Sequence, residues 1–360
     1  MNRLESLGWS SYFASQIESN PPPVLVPARV AEEHRGRYRV LTEQGDWPAE
    51  LGGRLRHEAA EGGAILPCVG DWVLAHLPGK RPEDGAARIE RVLSRRSKFS
   101  RKESGNRSVE QVIAANIDTI FLLQSLNGDL NPRRLERYLA LLWESGAEPV
   151  VVLSKADLCP DRRAAVAEFE AIARGASVHA VSSVEPDGLA PLAPYLVEGK
   201  TAALVGSSGV GKSTIVNTLL AEERLLVRDI RADDRGRHTT TSRHLVPLPG
   251  GGTLLDTPGM RTVILWEGEE GVETAFGDIE AFAAACRFGD CTHGVEPGCA
   301  VREALESGTL DAARYRSFLK LRGEARRQAM KTDVRLRQEE SRKWRRIHME
   351  YRRRPDKRGR

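Results

Sequence analysis

The chain has 360 residues, 40% of them hydrophobic and 29% charged, and a formal net charge of +4. That length and composition allow two or three globular domains with ordinary cores. No run of 18 apolar residues exists, which excludes a helical membrane span, and Met1 to Gly8 lacks the apolar segment of a secretory leader, so a cytoplasmic protein is expected.

Residues 1–23 read as a short amphipathic arm that ends in Pro21-Pro22-Pro23. Short strand-like runs follow at Val24–Val30, Tyr38–Leu41, Leu51–Leu55, Val69–Ala75 and Ala87–Leu93. Such runs, broken by turn residues, predict a small OB-type β-barrel over 24–98, a fold that often binds nucleic acid. Trp72 and Tyr38 read as core residues, with base stacking the alternative. Arg95–Lys102 reads as a basic linker.

Residues 104–265 alternate strand and helix, as a doubly wound α/β domain does. Strands are expected at Asp118–Leu123, Pro149–Leu153 and Ser177–Val181, and helices at Pro132–Glu144 and Arg162–Arg174. The apolar run Ala202–Val205 leads into Gly206-Ser207-Ser208-Gly209-Val210-Gly211-Lys212-Ser213-Thr214 and then an apolar helix start. Strand, glycine-rich loop and helix together make a phosphate-binding P-loop, whose N–H groups and helix N-terminus cradle an anion. Lys212 can reach the β- and γ-phosphates, and the Ser213 hydroxyl can hold Mg²⁺.

Other strand ends supply the rest of a nucleotide site. Ser154-Lys155-Ala156-Asp157 offers a carboxylate that can accept both the N1–H and the 2-amino group of guanine, a pair adenine lacks. Ser182 and Ser183 end the next strand, where backbone N–H groups can meet the base O6. The polar stretch 233–243 is placed as a switch loop, in which Thr239 or Thr240 can complete Mg²⁺ coordination. A hairpin at His244–Pro249 and Gly252–Asp256 ends in Asp256-Thr257-Pro258-Gly259, where Asp256 can hold Mg²⁺ through water and the Gly259 N–H can sense a γ-phosphate. The base-reading motif precedes the P-loop, so the order is that of a circularly permuted GTPase.

The chain has five cysteines. An odd count with three clustered late points to a reducing compartment and a metal rather than a disulfide framework. Cys286, Cys291, His293 and Cys299 supply three thiolates and an imidazole, a closed tetrahedral donor set for one structural Zn²⁺ in a helical region, 266–335. Cys68 and Cys159 lie outside it. From 336 the chain is a basic tail. Residues 341–360 hold ten Lys or Arg against two acids, Glu350 and Asp356, which suits a polyanion such as RNA.

Barrel, permuted GTPase motifs and Cys/His cluster in this order closely resemble the RsgA/YjeQ family over roughly residues 24–330. Gly206–Thr214, Gly236–Thr241 and Cys286–Cys299 are the most specific marks. The resemblance implies a GTPase, monomeric and without membrane attachment, that binds GTP and GDP. It implies action late in small ribosomal subunit assembly, contact with ribosomal RNA through barrel and C-terminal region, and hydrolysis stimulated by the subunit. Met260 stands where many GTPases have the glutamine that orients water, so His238 is the expected catalytic group. Ser154 stands where the family has Asn, which braces the base loop against the P-loop, and lower guanine-nucleotide affinity is expected. Gly209 stands near the place of a K⁺-binding Asn found in some permuted relatives. The competing readings are a P-loop kinase or ATPase, which leaves Asp157 unexplained, and an RNA-binding scaffold with vestigial hydrolysis.

Overall fold

The computed structural model describes residues 2–17, 25–102, 110–126, 132–173, 175–207, 209–220, 243–256, 272 and 274–332. The positions expected at Ser208, His238, Thr239, Thr240 and Gly259, and the basic tail, lie outside the described residues.

The N-terminal arm is built into the fold. Helix α1 (Arg3–Ser6) starts at Asn2, whose side chain accepts from the Leu4 N–H while Glu5 accepts from the Asn2 N–H. Helix α2 (Ser11–Ala14) follows. Leu4, Leu7 and Phe13 are buried, and Trp9 meets Trp72 edge-on at 4.8 Å between ring centroids. Trp72 is therefore core, covered by the arm, and Tyr38 is buried as well. Arg29 lies inside the same joint. Its guanidinium donates to the carbonyls of Leu7, Gly70 and Asn116 and stacks over Trp72, and burial lowers its pKa to about 10.

Strands β1 (Leu25–His34), β2 (Arg37–Thr42) and β3 (Gly45–Leu51) form an antiparallel meander. Helix α3 (Gly53–Ala60) leads to β4 (Trp72–His76) and β5 (Ala87–Val92). β4 pairs with both β1 and β5, and β5 runs parallel to β3, so these strands close into a barrel of OB type. Trp47 fills the interior, and the small side chains of Ala28, Ala49, Ala75 and Ala87 make room for it. The strand expected at Leu51–Leu55 is corrected: the strand is β3, and Leu55 sits in α3 with its side chain in the barrel core.

The stretch Arg95–Lys102 is not a solvated linker. Arg95 pairs with buried Asp71 at 2.7 Å, Arg96 pairs with Asp118 at 2.9 Å, and Phe99 is buried. β6 (Lys98–Lys102) and β7 (Glu110–Ala115) form a separate antiparallel ribbon.

The α/β domain follows with β8 (Thr119–Ser125), helix α4 (Pro132–Glu144), β9 (Glu148–Ser154), helix α5 (Arg162–Ile172), β10 (Ser177–Ala180), β11 (Thr201–Gly206), helix α6 (Lys212–Leu219), β12 (Arg243–Pro247) and β13 (Thr253–Asp256). Their order across the sheet is β10-β9-β8-β11-β13-β12, parallel except for β12. Strands β8 and β9 are buried almost throughout and read as continuous apolar runs, as doubly covered parallel strands do. Leu135, Leu139 and Phe169 from α4 and α5 pack on one face, and Ile215 and Val216 from α6 on the other. At its far edge β12 pairs with β1, so one sheet continues from the α/β domain into the barrel.

Helices α7 (Gly277–Ala284), α8 (Ala300–Glu306) and α9 (Ala312–Thr332) make the C-terminal region. Buried Arg314 of α9 ties it down: it reaches Asp278 at 2.7 Å and Glu136 of α4 at 3.0 Å, donates to the Ala275 carbonyl and lies over Phe276. Among the described residues no helix is long and apolar enough to cross a membrane.

Candidate functional site

Strands β8, β9, β10 and β11 are parallel, so the loops after β9, β10 and β11 gather at one sheet end, where ligands bind in open α/β folds. β11 ends at Gly206, and a Cβ there would lie 2.7 Å from the Leu123 carbonyl oxygen, so only glycine lets the loop leave the sheet at this angle. Gly211, at φ +92°, forms the left-handed turn into α6. Lys212 folds back over the loop, with Nζ donating to the carbonyls of Gly206 (2.6 Å) and Ser207 (2.5 Å). Ser213 and Thr214 stand exposed in the first turn of α6, where the helix N-terminus favours an anion.

The loop expected to read the base, Ser154–Asp157, follows β9. Lys155 adopts a left-handed φ of 58°, which turns the chain into a 3₁₀ segment, Ala156–Leu158, and leaves Asp157 exposed. Ser182 Oγ donates to Asp157 Oδ1 at 2.7 Å, and the Ala156 N–H donates to the Val181 carbonyl at 3.0 Å. Arg162 clamps the arrangement by donating to the Ala156 carbonyl and pairing with Glu185. The carboxylate of Asp157 is thus oriented by Ser182 and exposed to solvent. Sequence reasoning assigned Ser182 only a backbone role and did not find Arg162 or Glu185. They lie far apart in the chain, and no local pattern marks them.

Ser154 is buried, with Oγ 2.6 Å from the Val210 carbonyl of the P-loop and 3.1 Å from the Gln124 carbonyl. A serine therefore joins the loop after β9 to the loop after β11. Ser154→Ala removes this tie and leaves a buried carbonyl short of its donor. A neutral hydrogen bond contributes about 1 kcal/mol, so GDP affinity is expected to fall about fivefold, read by titration calorimetry.

Cys286, Cys291, His293 and Cys299 converge, their donor atoms all within 4.8 Å of one another. Cys286 Sγ and Cys299 Sγ are 3.9 Å apart, and each lies 3.6 Å from His293 Nδ1. A tetrahedron with metal–sulfur bonds of about 2.3 Å has edges of about 3.8 Å, so the donor set fits a four-coordinate ion. Cys286 follows α7, Cys299 begins α8, and His293 is turned inward by a left-handed φ of 62°. Cys68 and Cys159 lie elsewhere, as expected.

Asp256 ends β13 beside the P-loop strand, opposite His244 of β12. Glu32 of the barrel sits opposite the other side of His244, 3.2 Å from its Nδ1. His244 and Arg39 together hold the Glu32 pKa down to about 2.

The family model described as RsgA GTPase matches residues 92–266. The chain is 46% identical over 364 residues to the small ribosomal subunit biogenesis GTPase RsgA of Opitutus terrae, covering 99% of each chain. It is 48% identical over 308 residues to the protein of that name from Xylella fastidiosa, covering 83% of this chain and 85% of that one. Among solved structures it resembles YjeQ from Thermotoga maritima, with a TM-score of 0.62 and 27% identity over 84% of this chain and 99% of that one. It also resembles the circularly permuted GTPase YloQ, with a TM-score of 0.59 and 25% identity over 84% and 95%. With a permuted nucleotide site between an OB-type barrel and a Cys/His cluster, and with this identity end to end, the chain belongs to the RsgA family of circularly permuted GTPases.

Proposed function

We propose that this GTPase acts in the biogenesis of the small ribosomal subunit, hydrolysing GTP when bound to that particle and then leaving it. The supporting observation is the 46% identity along the whole chain with a protein named for that role, which includes the barrel and the C-terminal region as well as the nucleotide domain. In this reading the protein works in the cytoplasm as a monomer. The barrel, the Cys/His region and the basic tail grip ribosomal RNA.

GTP lies across the sheet end, its guanine on Asp157 with Ser182 and Ser183 at the O6 edge, and its phosphates in the loop Gly206–Thr214 with Lys212 on the β- and γ-phosphates. A Mg²⁺ ion, held by Ser213 with Thr239 or Thr240 and through water by Asp256, would offset the charge that develops on the phosphates. His238 orients the attacking water, taking the place of the glutamine absent at Met260. The water oxygen bonds to the γ-phosphorus as the bond to the β-phosphate oxygen breaks, releasing GDP and phosphate. Gly259 reports the presence of the γ-phosphate. The ion at Cys286, Cys291, His293 and Cys299 is one structural Zn²⁺, with no position left open for water.

The test is GTP hydrolysis by the full chain alone, then with small subunits, large subunits and intact ribosomes. Small subunits are expected to raise kcat about 1,000-fold or more, the scale on which a partner completes a GTPase site. Equal rates with every particle would sink the proposal.

A further inference from the structure

We propose that Glu32 of the barrel is a positioning residue for GTP hydrolysis that acts through His244 on Asp256. The inference rests on the reading of Asp256 as the carboxylate on the magnesium side of the site, and it adds to that reading a part played by the barrel.

The register carries the argument. Glu32 pairs with His244 across β1 and β12, and His244 pairs with Asp256 across β12 and β13. Three residues from three strands form one row across the sheet, spanning about 10 Å at the usual strand spacing. β12 would be an edge strand of the nucleotide domain without the barrel. Among the described residues its pairing to β1 consists of Glu32↔His244 and Glu33↔Arg243. To that pairing the side chains add a contact of Glu32 with His244 Nδ1 at 3.2 Å, in a half-buried site that weakens competition from water.

Glu32 is itself fixed from the opposite direction. Arg39 of β2 donates to it through Nε at 2.7 Å and also pairs with Asp46 of β3 at 2.8 Å, and Asp46 pairs with Arg3 of α1. Arg3 continues to the Thr42 carbonyl. A charge-alternating chain therefore runs from the N-terminal arm over the barrel wall to the strand beside Asp256. The Glu32 carboxylate holds the imidazole, the imidazole holds the register of β12, and β12 sets where β13 delivers Asp256. A carboxylate that holds an ion through water needs placement within about 0.5 Å, and supports outside the ligand shell typically change affinity or rate 10–100-fold.

The experiment uses the full-length protein and the variants Glu32→Ala, Glu32→Gln, Glu33→Gln and Asp256→Asn. Fluorescent GTP-analogue binding is titrated with magnesium, GDP binding is measured in chelator, and kcat and KM are measured without ribosomes. Glu32→Ala is expected to raise the magnesium midpoint and lower kcat about tenfold, the low end of the outer-support range, with KM and metal-free GDP affinity unchanged. Glu32→Gln keeps the shape and one hydrogen bond of the carboxylate and is expected to fall between. Glu33→Gln removes the same charge from the next position of β1 and is expected to match the parent protein. Unchanged magnesium midpoint and kcat in folded Glu32→Gln and Glu32→Ala overturn the proposal, as does an equal loss in Glu33→Gln. If Asp256→Asn leaves the magnesium midpoint unmoved, the reading of Asp256 is what fails. Neither readout depends on a ribosomal partner, so they stand apart from the assembly role.

Discussion

Asp157→Asn is expected to lower GDP affinity about 100-fold or more and to transfer the preference to xanthosine diphosphate. In the proposed pose the carboxylate accepts two hydrogen bonds from guanine, each contributing about 1.5–3 kcal/mol because one partner is charged. Losing 3 kcal/mol corresponds to about 100-fold in affinity. An asparagine presents one donor where guanine also presents a donor, and xanthine replaces that amino group with an acceptor oxygen. The surrounding frame survives the change. Ser182 Oγ donates to Asp157 Oδ1 at 2.7 Å, and an amide oxygen in that place accepts the same bond. Lys155 keeps its left-handed turn, and Arg162 continues to hold the Ala156 carbonyl. Calorimetry with GDP, xanthosine diphosphate and ADP decides the matter. Unchanged GDP affinity in the variant would remove Asp157 from base recognition.

The contrast between Asp157 and its supports shows what the chain reveals locally. In the proposed site phosphate and base meet contiguous stretches of chain at strand ends, so Gly206–Thr214 and Ser154–Asp157 can be read directly. The apolar runs and the flanking Pro132 likewise locate α4 at its observed limits, Pro132–Glu144. The braces are non-local: Ser154 meets Val210 across 56 residues, and Arg162 meets Glu185 across 23.

The barrel shows the same limit. β3 contains Gly45, Asp46, Pro48 and Glu50, poor strand formers, and only Trp47 and Ala49 turn inward. Its partners β2 and β5 impose the strand, while Leu51–Leu55, with an apolar residue at each end, looked the better candidate. The cations of Arg95–Lys102 suggested a basic linker, yet Asp71 and Asp118, from separate parts of the chain, draw two of them into the joint between barrel and α/β domain.

Cys291→Ser is expected to abolish zinc binding, one ion per chain falling to none, and to open the segment between α7 and α8. Of residues 285–299 only Cys299 is buried, so that segment has almost no apolar core of its own. In the proposed site metal ligation supplies the order that packing does not, and structural zinc sites contribute about 10–16 kcal/mol toward folding of the segments they join. A hydroxyl in place of one thiolate leaves three donors and a weak fourth. The helices beside the site remain anchored by Phe276, Ile279, Val301 and Phe318 and by Arg314 on Asp278 and Glu136. The phosphate-binding face has a separate core of Phe121, Val150, Val210 and Ile215. The damage is therefore confined: trypsin is expected to cut at Arg287, a chelator is expected to reproduce this in the parent protein, and GDP affinity is expected to stay within about twofold, as for sites without shared partners. Zinc content by atomic absorption and timed proteolysis check the outcome. Full zinc content with parental protease resistance in Cys291→Ser would mean that these four residues do not form the metal site.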